Sequence, residues 1–257
     1  YNGVGKEEAG MGTAFGDYDN DGYLDLTVSN FQTETNTIYH NEGNDFFMDL
    51  TITTGMAEQT YNYLGWGIKF FDYDNDGWQD VFVVNGHVMD NINQLEPNVT
   101  LPQKNLLFRN MLNGTFELVN GTDGLNIKKV SRSAAFGDYD NDGDIDIIVT
   151  NWNQSPDLLR NEVGNRNHWV MFKTIGVKSN QSGIGSKIMV TTENLTQYRE
   201  VRSDGSYLSA SDLRVHFGLG TAGAIKQVEI QWPSGQTDHH KNLSVNQEYT
   251  LIEGQKI

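Results

Sequence analysis

The sequence predicts an all-β fold: a partial or open β-propeller of three repeats, followed by a small β-sandwich-like domain. Three observations carry this expectation. One string returns three times, as GMGTAFGDYDNDGYLDLTVSN from Gly10, GWGIKFFDYDNDGWQDVFVVN from Gly65 and SRSAAFGDYDNDGDIDIIVTN from Ser131. The first aspartates of these units stand at 17, 72 and 138, spacings of 55 and 66 residues, and periods of about 50 mark propellers, solenoids and similar arrays. Finally, segments beside each acidic stretch alternate with period 2, as Leu24-Asp25-Leu26-Thr27-Val28 does, and no amphipathic helical run stands out.

Each unit reads as about four short antiparallel strands. Thr13 to Phe15 enters the acidic loop of the first unit and Leu24 to Val28 leaves it. A second apolar stretch ending in Asn follows in every unit (NTIYHN, NLLFRN, DLLRN), and the first two units add a third, FFMDL and TFELV. Turns at Thr54-Gly55-Met56 and Asp123-Gly124-Leu125 lead into the next unit, and the third unit lacks the last strand. From about Arg166 the chain reads WVMFKTIGV, SKIMVTT, QYREV, LRVHFGLG, KQVEIQW and YTLIEG, six or so strands of a separate β-domain. The expected division is 1–165 for the repeats and 166–257 for the second domain. Three units are too few to close a propeller, which needs roughly four to eight blades. An open array leaves an apolar blade face and a sheet edge at its N-terminal end, so the chain is expected to be the C-terminal portion of a longer one.

Composition narrows the function. The 257 residues include 34 acidic and 18 basic side chains, a formal net charge of −16. Such a surface repels a phosphate backbone and argues against nucleic acid as a partner. The absence of cysteine removes thiol catalysis, thiolate zinc sites and disulfides. No run approaches 18 apolar residues, so no membrane span is expected.

The acid loop has the form D-x-D-x-D-G-x-x-D. Positions 1, 3 and 5 converge when the backbone curls, the Gly at position 6 permits the sharp turn, position 7 offers a carbonyl, and position 9 a closing carboxylate. That is a set of hard oxygen donors suited to calcium more than to magnesium, which holds its waters and requires a tighter octahedron. An EF-hand begins similarly but needs Glu at position 12; here that position is Val28, Val83 or Val149. Without an ion the carboxylates repel one another. At about 4 Å and an effective dielectric near 20 each pair costs on the order of 4 kcal/mol before water and salt reduce it. About three calcium ions are therefore expected, one per loop, and binding should couple to folding.

The three DYDNDGxxD units resemble the FG-GAP/VCBS calcium repeats of integrin-like β-propellers. GMGTAFGDYDNDGYLDL, NLLFRN, NGTFELV and LLRNEVGNRNHW are similar to the cartilage-acidic-protein group of that superfamily, and GIGSKIMVTTENLTQYREVRSDGSYLSASDLRVHFGLGTAGAIKQVEIQWPSG resembles the ASPIC/UnbV domain that follows its repeats. The resemblance implies a seven-bladed type of propeller, of which this chain holds the last part, an extracellular or cell-surface location, and calcium in the repeat loops. Carried over by position, the implied ligands are Asp17, Asp19, Asp21 and Asp25; Asp72, Asp74, Asp76 and Asp80; and Asp138, Asp140, Asp142 and Asp146, joined by the backbone carbonyls of Tyr23, Trp78 and Asp144. It implies no catalytic residue. His40 departs from the pattern, standing where the other units have Arg109 and Arg160.

Other signals are weaker. Gly218 to Gly223 spells G-x-G-x-x-G, but AIKQVEIQW after it alternates like a strand, so a Gly-rich hairpin is expected rather than a dinucleotide site. His239-His240 reads as an exposed polar loop, and His87 follows the exit strand of the second loop. Trp66, Trp78, Trp152, Trp169 and Trp232 are enough for a sugar-stacking platform, though core packing explains most of them. N-x-[ST] sequons at Asn98, Asn113, Asn120, Asn153, Asn180, Asn194 and Asn242 mark a candidate glycoprotein. The expected function is that of a non-enzymatic, secreted, calcium-binding β-repeat protein. It would act in adhesion, protein–protein interaction or a surface assembly, with proteins or glycans of the cell exterior as partners and the open N-terminal repeat edge available for self-assembly. A carbohydrate-binding module, or a sugar lyase or hydrolase on a propeller scaffold, is the alternative.

Overall fold

The computed structural model describes residues 2–3, 5–44, 46–121 and 123–256. Each repeat is one antiparallel sheet. The first blade pairs β1 (Thr13–Gly16), β2 (Asp25–Val28), β3 (Thr37–Asn41) and β4 (Phe47–Asp49) in chain order. A short helix, α1 (Met56–Thr60), leads to the second blade, made of β5 (Gly65–Phe71), β6 (Asp80–Asn85), β8 (Leu106–Asn110) and β9 (Phe116–Leu118). Between β6 and β8 lie α2 (Ile92–Leu95) and β7 (Gln103–Lys104). After α3 (Asp123–Asn126), β10 (Lys128–Lys129) pairs with β7 and so ties the second blade to the start of the third. The third blade has β11 (Ser131–Gly137), β12 (Asp146–Asn151) and β13 (Gln154–Leu159), and no fourth strand among the described residues. The helices of four or five residues are too short to show a 3.6-residue pattern in sequence.

The strands differ according to what covers them. β6, DVFVVN, is buried at every position, because the second blade is sandwiched between the other two. β2 alternates between buried and half-buried residues, and β12 leaves Ile148 45% exposed, as strands with one open face do. Tyr18, Ile38, Met56, Phe70 and Phe108 form the core between the first and second blades. Phe71, Phe82, Phe136 and Val149 form that between the second and third, and Met171 joins them from beyond the repeats. Truncating a fully buried Phe such as Phe82 typically costs about 3–5 kcal/mol.

The remaining strands form two sheets around a third core that includes Phe172, Phe217, Ile188, Val228 and Trp232. One sheet is ordered β17 (Val215–Gly220), β14 (His168–Ile175), β20 (Gln247–Ile252), with β14 and β20 parallel. The other is ordered β16 (Thr196–Glu200), β15 (Lys187–Thr191), β18 (Ile225–Gln231), β19 (Thr237–Leu243). Two expectations are corrected here. The Gly218–Gly223 segment is not a hairpin: β17 and β18 lie in different sheets, so the glycines carry the chain from one to the other. His239 and His240 lie on β19, not in a loop, with His240 buried and His239 outward. This polar strand pairs on one side only, with β18, and so needs no apolar alternation.

A segment before β17 runs along the free edges of β1 and β11. Ser206 donates its N–H to Thr13 O (2.9 Å) and accepts from Thr13 N (3.4 Å), while Asp212 N donates to Phe136 O (2.9 Å) and Ser209 Oγ to Ala134 O (2.7 Å). Two sheet edges that otherwise invite foreign strands are thereby occupied.

Glu253 clips the end of this domain. Its Oε2 accepts the N–H groups of Val177, Lys178 and Ser179 at 2.7, 2.6 and 2.8 Å, and its Oε1 accepts the hydroxyls of Ser179 and Ser234. Burial pushes its pKa upward, but these donors prevail and bring it from 4.5 to about 2. A depressed carboxylate stabilises the fold above its ordinary pKa and loses that contribution as pH falls through the folded value. Glu253→Gln is expected to lower the melting temperature most at neutral pH, with a gap that narrows below pH 4.5 and closes toward 2. A gap independent of pH would show that the charge plays no part.

Candidate metal centres

The three acid loops join β1 to β2, β5 to β6 and β11 to β12, so they lie at one end of the blades, over the closing pairs Gly16–Asp25, Phe71–Asp80 and Gly137–Asp146. Their internal bonding is the same three times over. The position-1 carboxylate accepts the N–H of positions 5 and 6: Asp17 from Asp21 and Gly22 (3.1 and 3.2 Å), Asp72 from Asp76 and Gly77 (3.1 and 2.8 Å), Asp138 from Asp142 and Gly143 (3.1 and 2.9 Å). The position-5 carboxylate of Asp21, Asp76 or Asp142 accepts the N–H of Tyr23, Trp78 or Asp144 at 2.8–3.0 Å. These bonds close the curl because position 4 is left-handed Asn (φ 57, 57 and 59°) and position 6 is Gly at φ 91, 94 and 95°.

The position-9 aspartates are removed from water. Asp25, Asp80 and Asp146 are at most 2% exposed. Each accepts one N–H from its own loop, that of Tyr18, Tyr73 or Tyr139, and one from the Asn that ends the second apolar stretch, Asn41, Asn110 or Asn161 (2.8–2.9 Å). Those asparagines were visible in the sequence as a triple, yet without an assigned role. In the second and third blades their amides also reach back to the preceding loop, Asn110 to Tyr18 O and Asn161 to Tyr73 O, each at 2.7 Å.

Carboxylate oxygens converge to within 4.8 Å of one another in Asp17, Asp19 and Asp21, in Asp72, Asp74 and Asp80, and in Asp138, Asp140 and Asp146. The first loop has a second such set, Asp19, Asp25 and His40, with His40 Nδ1 at 3.4 Å from Asp19 and 3.0 Å from Asp25. In the other two loops the corresponding arginines lie on the rim, Arg109 on Asp74 (2.7 Å) and Arg160 on Asp140 (2.9 Å). Asp74 Oδ1 is buried without a hydrogen-bond partner, an orphaned anionic oxygen that a cation at the centre of the loop would satisfy. The Asp144 side chain was not foreseen as significant. It is fully buried, with Oδ1 held by Asn75 (2.9 Å) and Oδ2 unpartnered. Tyr23 is half exposed and Trp78 half buried, outside the carboxylate clusters.

Electrostatics agree with the geometry. Burial first, and neighbouring carboxylates with it, raises Asp17 to about 6, Asp25 to about 7, Asp72 to about 8 and Asp76 to about 6, and lifts Asp80 well above the usual range. Arg199 opposes the rise at Asp17 and Asp72 without touching either.

The loops are also joined in series. Asn20 Nδ2 donates to Gly77 O (3.2 Å) and Asn75 Nδ2 to Gly143 O (3.2 Å), so each position-4 amide holds the next loop. After the third loop the C-terminal sheets take over. Arg214 donates to Asn141 Oδ1 (2.9 Å) and Asp138 O (2.7 Å), Gly220 N to Asn75 O (2.8 Å), and His216 Nε2 to Gly143 O (3.0 Å). Burial depresses His216 to about 4, so the ring is neutral and Nε2–H is the donor. Gly218 passes so near Asp72 that a Cβ there would lie 2.1 Å from Oδ2.

The weaker signals resolve simply. His87 is fully buried, accepting the N–H of Met89 at Nδ1 and meeting the Phe31 ring edge-on, and does not face an opening. Trp66 packs between Arg132 and Tyr207, Trp232 bonds Asp238, and Trp152 is 62% exposed. No helix among the described residues is long and apolar enough to cross a membrane. In comparisons with known proteins, residues 17–83 match the FG-GAP-like repeat family and residues 176–257 match the family described as ASPIC and UnbV. No curated protein matches the chain.

A carboxylate whose folded pKa is raised keeps its proton in the fold and loses stability as pH climbs from the ordinary value to the folded one. In chelator, the melting temperature is expected to fall between pH 4 and about 8, the window set by Asp17, Asp25, Asp72 and Asp76. A flat or rising profile over that range would contradict the burial of these charges.

Proposed function

We propose that this chain, which joins FG-GAP-like repeats to an ASPIC and UnbV domain, is a non-enzymatic calcium-binding scaffold of the cell exterior, working in adhesion or in a surface assembly. Its working division is into repeats over 1–165 and the second domain over 166–257. The observation that carries the reading is the identical bonding of three acid loops around converging carboxylates, one of which, Asp74, keeps a buried oxygen without a partner. The proposed ligands are the four aspartates of each loop, with the carbonyls of Tyr23, Trp78 and Asp144.

Calcium suits this donor set because every donor is a hard oxygen and the loop is built from turns that can accept a large, irregular coordination sphere. In the first loop His40 reaches the carboxylates in place of an arginine. Three ions would bring the formal charge from −16 to −10, still acidic. The families matched are repeat modules that generally act by binding rather than by catalysis.

Calorimetric titration of the chelator-treated protein tests the reading. About three calcium ions per chain are expected, with a rise in melting temperature of several degrees and a much smaller one for magnesium. Asp80→Asn should remove one site and leave the others. Binding of no calcium, or equal stabilisation by both ions, would sink the proposal.

A further inference from the structure

The three repeats are alike enough to be compared position by position. On the entry strands, Ala14, Lys69 and Ala135 are equivalent, each paired across its sheet with the corresponding residue of the exit strand (Thr27, Phe82, Ile148). One residue before the closing aspartate, Leu24, Gln79 and Ile145 are equivalent. The second repeat is therefore polar at two places where the first and third carry Ala and Leu or Ile. Both polar residues open onto one cleft.

That cleft, of about 140 Å³, lies between the entry strands and the chain from Arg199 to His216. Phe15, Phe71, Phe136 and Met171 give it apolar walls. Its size is close to that of a cavity that holds one benzene ring. Lys69 Nζ stands 5.6 Å from the centre of the Phe136 ring and has no ion pair within 4.0 Å among the described residues, with Asp204 acting on it from further away. Gln79 is 7% exposed, and its Oε1 is buried with no partner. Arg199, 7% exposed, donates to Tyr198 O (2.8 Å) and Gln197 Oε1 (3.3 Å), with no carboxylate within 4.0 Å among the described residues. The other two cations of the wall are already matched, Arg202 by Glu200 and Asp204, and Arg214 by Asp212 and Glu248. A half-buried ammonium whose counter-charge Asp204 lies beyond ion-pair distance, and a buried amide oxygen with no partner, both gain from a ligand that supplies the missing groups. The burial of Lys69 lowers its pKa to about 8, which leaves it mainly cationic at neutral pH.

We propose that this cleft binds a small hydroxycarboxylate with a compact apolar body, its carboxylate on Lys69, its hydroxyl donating to Gln79 and its body among the Phe71, Phe136 and Met171 side chains. The cleft adjoins the second acid loop, since Asp72 lines it and Gln79 is that loop's eighth position, so calcium is kept in the test buffer.

The test is calorimetric titration of the full chain in calcium-containing buffer with 3-hydroxybenzoate, 4-hydroxybenzoate and mandelate, each beside its neutral amide. Saturable binding of at least one acid is expected, at least tenfold tighter than its amide. Lys69→Ala and Gln79→Leu give the second repeat the side chains of the first, so both variants should keep the wild-type melting temperature. Lys69→Ala should weaken the acid at least tenfold, and Gln79→Leu should weaken the hydroxy acid more than plain benzoate. The proposal is overturned if none of the three acids binds saturably, if acid and amide bind alike, or if binding survives Lys69→Ala. Equal loss of hydroxybenzoate and benzoate in Gln79→Leu would overturn the hydroxyl contact.

Discussion

Everything at one end of this molecule depends on repulsion among buried carboxylates. Asp25, Asp72, Asp80 and Asp146 are nearly or wholly removed from water, and each shares its loop with three or four further aspartates. Backbone N–H groups satisfy most of their oxygens, but hydrogen bonds to a carboxylate do not cancel its charge. The cations nearby are few and peripheral: Arg109 and Arg160 lie at the rim, and Arg199 acts from a distance. A loop of this kind is stable when it is partly protonated or when a divalent ion sits among the carboxylates, and at neutral pH the second state is the one the proposed function invokes.

That constraint reaches well beyond the loops. Asn20 and Asn75 each hold the next loop, and Asn110 and Asn161 each hold the one before, so the three sites form a chain of contacts. At the far end Arg214, His216 and Gly220 meet loop atoms of the second and third blades directly. The close fit of Gly218 to Asp72 leaves no slack there. Ordering the loops therefore orders the junction with the C-terminal sheets, and the 206–212 segment adds backbone contacts to β1 and β11.

Much of this was legible in the residues. The acid loops announce themselves because the side chains that matter are local, polar and repeated, and the strands around them follow from apolar alternation. β6 even reports its position between two other blades, since VFVV is apolar on both faces. What stayed hidden depends on partners distant in the chain. Asn41, Asn110 and Asn161 recur visibly, yet their role rests on hydrogen bonds to a loop up to 92 residues away. β19 escaped notice because a polar edge strand carries no alternation, and the glycines after β17 looked like a hairpin because nothing local says that consecutive strands belong to different sheets. The buried side chain of Asp144 was masked by the expectation that only its carbonyl matters.

Amide hydrogen exchange with and without calcium tests the central claim most directly, because it reads the junction and the loops in one experiment. The account predicts that calcium slows exchange at Gly22, Gly77 and Gly143 in the loops and also at Gly220, whose N–H reaches Asn75 O across the junction. Amides of β15 and β18 in the C-terminal core serve as the internal reference. Protection confined to the loops, with Gly220 unchanged, would contradict the coupling of the two parts. No change anywhere would contradict the metal reading itself.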